Sequence, residues 1–273
     1  MATELLWKVD KHALDSPHVK ANLLLQSHFA RAALPMSDYV TDTKSVLDQA
    51  LRVLQAMVDV AADGGWMFTA LGAMHLTQMV SQGRFVGPDA GSELADLPHV
   101  GAGVEAALGK HGVRSLRDLL RARPDDLRRW LGGSRQRGSR QQPLLGEAQL
   151  GELTGLLRTL PLMSMRTEPP KAALAPGQET SVTVHVEALN PASRRNAYAP
   201  RFPKAKKAGW WLMMGEEDEL FALKRITLDR GHLTAELQFA AAEEPGEHVY
   251  AVRLVSDSYI GLDLEGEVRV HVA

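Results

Sequence analysis

The hydrophobic periodicity of the chain changes once, at a proline-rich stretch, and this change constrains the fold more than any other feature. Before TEPPKAALAPGQ, at residues 167–178, apolar residues recur every three or four positions, which is typical of amphipathic helices. After it, apolar and polar residues alternate, as in SVTVHVE at residues 181–187, which is typical of half-buried strands. The chain is therefore predicted to be an α+β multidomain protein with helices first and strands last.

Residues 1–98 are predicted to form an all-α helical bundle whose longest helix covers residues 43–62. Glycines at 64 and 65 supply its stop, and three N-cap candidates, Thr41, Asp42 and Thr43, come at its start. Its apolar residues recur at steps of three and four and predict one broad buried face. They are Val46, Leu47, Ala50, Leu51, Leu54, Met57, Val58 and Ala61.

Residues 99–160 are predicted to form a small helix-loop-helix module. The stretch GVRSLRDLLRARPDDLRRWL holds two short helices broken at Pro124, because proline is favoured in the first turn of a helix and disfavoured inside one. An insertion rich in glycine, serine and arginine follows at residues 132–146, and a last helix is predicted over residues 147–157.

Residues 161–273 are predicted to form a C-terminal antiparallel β-sandwich. About seven short alternating runs, separated by turn signals such as AEEPGE, occur in this last part of the chain. Seven strands in about 100 residues are typical of a fibronectin type III or immunoglobulin-like outline.

The sequence contains no motif of a known catalytic site. The phosphate-cradling Gly-x4-Gly-Lys-Ser/Thr pattern, the nucleophile elbow and the zinc-protease helix are all missing, and there is no cysteine. The acidic run at residues 216–219 predicts a solvated turn better than a cation site. We therefore expect no catalytic residue, no metal and no cofactor, and hence no enzyme activity. No apolar run is long enough for a membrane span, so no membrane partner is expected.

Charge is distributed unevenly along a chain whose formal net charge is only −2. Residues 114–140 carry nine arginines against three acidic residues, whereas residues 215–273 carry thirteen acidic against five basic residues. A second basic segment predicts a possible phosphate-binding patch, and an ordinary solvated surface is the alternative that stays open. Its members are Arg194, Arg195, Arg201, Lys204, Lys206 and Lys207.

Arg52 lies on the polar side of the long predicted helix, between Asp48 one turn earlier and Asp59 two turns later. One interpretation is an exposed ion pair with Asp48, worth only about 0.3–0.5 kcal/mol. The other is a guanidinium that contacts a nucleic-acid strand. The residues alone leave both open.

Several strings resemble the Sec63 homology unit that follows the motor of large DExH-box helicases. They are DSPHVKANLLLQSHFAR, TDTKSVLDQALRVLQAMVDVAADGGW and LTQMVSQGRF in the helical part, with APRFPKAKKAGWWLMMGE, LFALKR and SDSYIGLD in the last domain. The resemblance covers almost the whole chain and is weakest at about residues 85–165. It implies a helical bundle, a helix-loop-helix module and a fibronectin-like sandwich.

The resemblance also implies a ratchet role for the helix at residues 43–62, which would contact a translocating single strand. Carried over, Arg52 becomes the strand contact, with Gln55 one turn along. Asp59 stands where archaeal relatives place an aromatic stacking residue, so base stacking is not expected there. The family's bundle begins several helices earlier than this chain, and we therefore expect exposed apolar surface on the bundle.

The function that the resemblance implies is a non-catalytic accessory region of an ATP-dependent DExH-box helicase. Its partners would be single-stranded nucleic acid, DNA or RNA, in the context of the motor, together with proteins of a helicase complex. A location in the nucleus or cytoplasm and links to alkylation repair and to stalled ribosomes are implied as well. The alternative is a standalone protein-interaction module of the translocon or adaptor type, which would not bind nucleic acid.

Overall fold

The computed structural model describes residues 7–9, 13, 15–87, 91–132, 143–190, 196–228 and 231–273. Within these ranges it contains seven α-helices, one short 3-10 helix and two antiparallel β-sheets. The protein is therefore an α+β protein with helices before strands. No helix in the described ranges is long and apolar enough to cross a membrane.

Three helices form the bundle: α1 at Pro17–Ala30, α2 at Ser37–Asp63 and α3 at Met67–Gln82. The predicted stop of α2 is confirmed, because Gly64 is its C-cap residue. The predicted N-cap at residues 41–43 is wrong, because α2 begins six residues earlier, after Met36. The Thr43 hydroxyl instead donates to the Tyr39 carbonyl one turn back, as threonine does inside a helix.

The next unit consists of a 3-10 helix at Glu93–Asp96 and four α-helices. These are α4 at Ala102–Lys110, α5 at Leu116–Arg121, α6 at Pro124–Leu131 and α7 at Glu147–Leu157. The predicted break at Pro124 is confirmed, since α6 begins at that residue. The predicted insertion at residues 132–146 lies mostly outside the described residues.

Seven strands follow: β1 Met163–Glu168, β2 Glu179–Ala188, β3 Trp210–Glu216, β4 Glu219–Ile226, β5 His232–Ala240, β6 Gly246–Ser256 and β7 Leu264–Val272. One antiparallel sheet has the order β1-β2-β5, and the other has the order β4-β3-β6-β7. The sequence prediction of about seven strands is confirmed.

The two sheets share one hydrophobic core, which also includes the apolar side chains of α4–α7. Val182, Val184 and Val186 of β2 are buried in it, as their alternation predicted. Strand β3 is buried on both faces. Leu212 faces the core between the sheets, whereas Trp211 packs in a second cluster with α2 and α3. The three-helix bundle is therefore packed on the outer face of the second sheet.

Helix α3 is joined to the sandwich by buried hydrogen bonds as well as by the apolar contacts of the second cluster. Gln78 donates to the carbonyl of Ser256 (2.9 Å) and to the carboxylate of Asp263 (2.9 and 3.0 Å). The Gln82 amide donates to the Ser258 carbonyl. Because these groups are buried and paired, they fix the position of α3 along the sandwich.

The expected exposed apolar surface on the bundle is present. An open groove of about 690 Å³ lies between α1, α2 and α3, lined largely by apolar side chains. Along α2, Val53, Met57 and Val60 are 57%, 45% and 62% exposed. The prediction that Met57 belongs to the buried face is therefore wrong, since neither α1 nor α3 covers this part of α2.

Candidate nucleic-acid interface

The predicted contact residues share one stripe of α2. Asp48, Arg52, Gln55 and Asp59 follow one another at steps of four, three and four, so they lie on the same side of a helix with 3.6 residues per turn. The 27-residue helix is about 40 Å long, which leaves room for a multi-nucleotide contact. Arg52 and Asp59 are exposed, whereas Gln55 is half-buried.

Arg52 extends into solvent from the middle of this stripe. Its side chain is 69% exposed, and its Nη2 atom lies 3.6 Å from Oδ2 of Asp48. That distance is long for a hydrogen bond, so the pair is loose. Most of the guanidinium's five N–H donors therefore remain available to a ligand.

Asp48 has a second and closer partner in the loop before β3. The Lys204 ammonium lies 3.0 Å from Oδ2 of Asp48. The hydrogen bond from Lys204 lowers the pKa of Asp48 below its ordinary value, and the charges of Lys204 and Arg52 lower it further. Lys204 therefore neutralises much of the negative charge beside Arg52.

This contact joins the two predicted groups of site residues. The helix stripe and the basic segment are distant in the sequence, since their members Asp48 and Lys204 are 156 positions apart (204 − 48). The structure brings them together because the loop before β3 lies against α2. Arg201 and Lys207 of the same segment are exposed. Arg194 and Arg195 lie outside the described residues.

Lys206 does not belong to an exposed patch, and that part of the prediction needs correction. Its side chain is only 10% exposed, and its ammonium lies 2.6 Å from Oδ1 of Asp257. Burial lowers the pKa of Lys206, and the neighbouring Asp257 opposes that shift. The Arg225 guanidinium pairs with the other oxygen of Asp257 at 2.8 Å. Lys206 therefore holds the loop to the sandwich.

Sequence reasoning missed two features beside the stripe. One is the ion pair of Asp48 with Lys204, for which the sequence carries no local signal. The other is the exposed row of Val53, Met57 and Val60, whose spacing of four and three residues is visible in the sequence. That spacing marks one side of α2 but does not tell whether a neighbouring helix covers it.

The acidic turn between β3 and β4 has a structural role. The Asp218 carboxylate accepts a hydrogen bond from the backbone N–H of Phe68 at 2.8 Å, at the start of α3. A carboxylate at a helix N-terminus satisfies an otherwise unpaired donor and interacts favourably with the helix dipole. In the described part of the chain, no three acidic or histidine side chains are grouped as metal ligands.

Comparison with known proteins shows the family of this chain. Residues 1–269 match the family model described as the Sec63 Brl domain, and the chain belongs to this family. It is 34% identical to activating signal cointegrator 1 complex subunit 3 of Mus musculus over 97% of this chain. It is 35% identical to the DExH-box ATP-dependent RNA helicase DExH14 of Arabidopsis thaliana over 98% of this chain.

A further relative is the U5 small nuclear ribonucleoprotein 200 kDa helicase of Drosophila melanogaster, with 30% identity over 94% of this chain. The chain spans 14%, 12% and 11% of the length of these three relatives, respectively. Among solved structures, a PapD-like domain of human CEP192 matches 42% of this chain and 87% of its own length. Its TM-score of 0.26, at 10% identity, is too low to support an argument about the fold.

Proposed function

We propose that this chain is a non-catalytic accessory region of an ATP-dependent DExH-box helicase, in which α2 guides a single strand of nucleic acid. Two kinds of support exist. The relatives of the chain include proteins named as helicases. The observation that carries the proposal is the exposed Arg52 guanidinium in the middle of α2, beside a carboxylate whose closer partner is Lys204.

The arrangement around Arg52 favours contact with phosphate or sugar rather than with a base. Arginine donates hydrogen bonds to phosphate oxygens in a fork geometry, and such contacts position a strand without reading its sequence. Asp59, one turn beyond Gln55, has no aromatic surface on which a base could stack. Its carboxylate also repels phosphate. We therefore assign the strand contact to Arg52, with Gln55 as a neighbouring hydrogen-bonding group.

The sandwich would serve as the protein-docking part of this region. Its strand orders, β1-β2-β5 and β4-β3-β6-β7, support a fibronectin type III connectivity. Its excess of acidic residues makes it a poor surface for nucleic acid. In this proposal the motor lies elsewhere in a helicase complex, with a location in the nucleus or cytoplasm and a role in repair or ribosome clearance.

The test is the change Arg52→Ala, made in this chain and in a complete helicase that contains it. In the chain, we expect the affinity for a single-stranded oligonucleotide at low salt to fall about tenfold, since a charge-assisted hydrogen bond is lost. In the helicase, unwinding should fall more than ATP hydrolysis. Fluorescence anisotropy and a strand-separation assay measure the two effects.

The matched control is Arg269→Ala, which removes an equally exposed arginine that is paired with Glu247 on the acidic sandwich. It should leave both measurements unchanged. If Arg52→Ala left unwinding unaffected, the proposed strand-guiding role of α2 would be wrong.

The alternative is a protein-interaction module that does not bind nucleic acid. The exposed row of Val53, Met57 and Val60, beside the apolar groove, is the observation that favours it. If the folded chain failed to bind an oligonucleotide at low salt, and the complete helicase tolerated Arg52→Ala, this alternative would be the better description.

A further inference from the structure

A polar pocket of about 300 Å³ lies beside the end of α1, next to the loop before β3. Its lining includes Ser27, His28 and Arg31 of the α1 end, Thr43 of α2 and Arg201 of the loop. Thr43 and Arg52 are nine residues apart (52 − 43), which is about two and a half helical turns. They therefore project from opposite sides of α2, and the pocket is distinct from the stripe that carries Arg52.

The pocket carries an excess of positive charge. Arg31 forms an ion pair with Asp96, which does not line the pocket. Among the described residues that line the pocket, two are arginines and none is acidic. Within the part of the chain that the structure describes, Arg201 has no ion pair of its own. The described lining of the pocket is therefore positively charged.

The side chains of both arginines pack against one backbone position, Gly83. Arg31 donates from Nε to the Gly83 carbonyl at 3.2 Å. A Cβ atom on Gly83 would lie 3.1 Å from Cβ of Arg201 and 3.1 Å from Cε1 of His28. The absence of a side chain at Gly83, whose φ is 58°, lets the Arg201 stem and the His28 ring pack closely there. Packed stems lose less freedom when their charged ends bind a ligand.

We propose that this pocket binds a phosphate group, with Arg201 and Arg31 as the charged donors and the Ser27 hydroxyl as a neutral donor. Planar guanidinium groups match the oxygen geometry of phosphate, and two of them favour a doubly charged anion. The phosphate can belong to a small phosphate-bearing molecule, which presents three free oxygens, or to a nucleic-acid backbone, whose phosphodiester presents two free oxygens and one negative charge. This inference goes beyond the proposed strand contact and does not depend on Arg52.

His28 provides a reporter inside the pocket. Its Nε2 atom donates to the Val80 carbonyl at 2.9 Å. Burial lowers the pKa of His28, and the charges of Arg201 and Arg31 lower it further. A bound phosphate adds negative charge beside the ring and should raise this pKa.

The first experiment titrates the folded chain with sodium phosphate, against sodium chloride of matched ionic strength. The His28 resonance, assigned by its loss in His28→Gln, is followed by NMR. We expect saturable binding and a raised His28 pKa. Arg201→Ala should weaken phosphate binding about tenfold, and Arg201→Lys should weaken it less because the charge remains. Arg269→Ala is the control and should bind phosphate like the native chain.

Two results would overturn the proposal. One is a native chain whose His28 responds to phosphate no more than to chloride. The other is a folded Arg201→Ala variant, verified by circular dichroism, that binds phosphate with native affinity.

The second experiment distinguishes the two sources of phosphate. If Arg201→Ala weakens binding of both inorganic phosphate and a single-stranded oligonucleotide, the ligand is a nucleic-acid backbone. If it weakens only phosphate binding, the ligand is a small phosphate-bearing molecule. Arg52→Ala should leave phosphate binding unchanged. If the native chain binds phosphate but does not bind the oligonucleotide, the phosphate pocket is supported and the proposed strand contact is contradicted.

Discussion

Two carboxylates in this protein, Asp48 and Asp257, have similar partners and different surroundings. Each is paired with one lysine and one arginine, and the two lysines, Lys204 and Lys206, come from the same loop two residues apart. The Asp257 side chain is 2% exposed, whereas that of Asp48 is 32% exposed. The loop before β3 is thus attached to the sandwich at one point and to α2 at the other.

The difference shows that burial decides how much an ion pair contributes to the stability of the fold. Asp257 also accepts hydrogen bonds from the Gly209 N–H (2.9 Å) and the Ser258 hydroxyl (2.6 Å), so its charge is fully satisfied inside the protein. Removing one partner there leaves a buried charge without compensation. At Asp48, water can solvate the carboxylate when a partner is removed, so this ion pair contributes little to the free energy of unfolding. The exposed pair is therefore free to serve a ligand.

The largest expected effect is that of Asp257→Asn. The change leaves Lys206 buried beside a neutral amide, and breaking a buried ion pair in this way costs about 3–5 kcal/mol. Urea unfolding followed by circular dichroism measures the loss. Asp48→Asn, the matched change at the exposed pair, should leave the unfolding midpoint close to that of the native chain. Equal losses of stability in Asp257→Asn and Asp48→Asn would contradict the difference drawn between the buried and the exposed pair.

A smaller effect is expected in the coupling between partners. A double-mutant cycle of Asp257→Asn with Lys206→Met should give a coupling free energy of about 1–3 kcal/mol, because the two side chains share one buried network. The cycle of Asp48→Asn with Lys204→Met should give no coupling outside experimental error. A strong coupling at the exposed pair would show that Lys204 fixes the loop instead of merely screening Asp48.

The smallest expected effect is on ligand binding. Asp48→Asn removes a negative charge beside Arg52, so oligonucleotide affinity at low salt should rise about twofold. Because the pKa of Asp48 is lowered in the folded chain, its carboxylate stays ionised as the pH falls through the ordinary range for aspartate. The difference between variant and native chain should therefore persist at about pH 4, near the ordinary pKa of aspartate, and disappear only at lower pH. Anisotropy at several pH values measures it.

Sequence reasoning predicted the local structure better than the contacts between distant segments. The bounds of α7 and the break before α6 follow from turn residues and apolar spacing, which are local signals. The stripe of Asp48, Arg52, Gln55 and Asp59 follows from helical periodicity. In contrast, Lys204 and Lys206 look equivalent in the sequence. Only the folded position of Asp257, 51 residues after Lys206 (257 − 206), makes one of them internal.

The hydrogen-bonded face of α3 has a mechanical consequence. The amides of Gln78 and Gln82 lose their hydrogen-bond partners if α3 shifts by one residue along the sandwich. Since α2 and α3 are packed together, a pull along α2 loads these hydrogen bonds together rather than one by one. Helix α2 and the sandwich would then move together as one rigid body, and a force applied to the exposed stripe would be transmitted to the β-sheets.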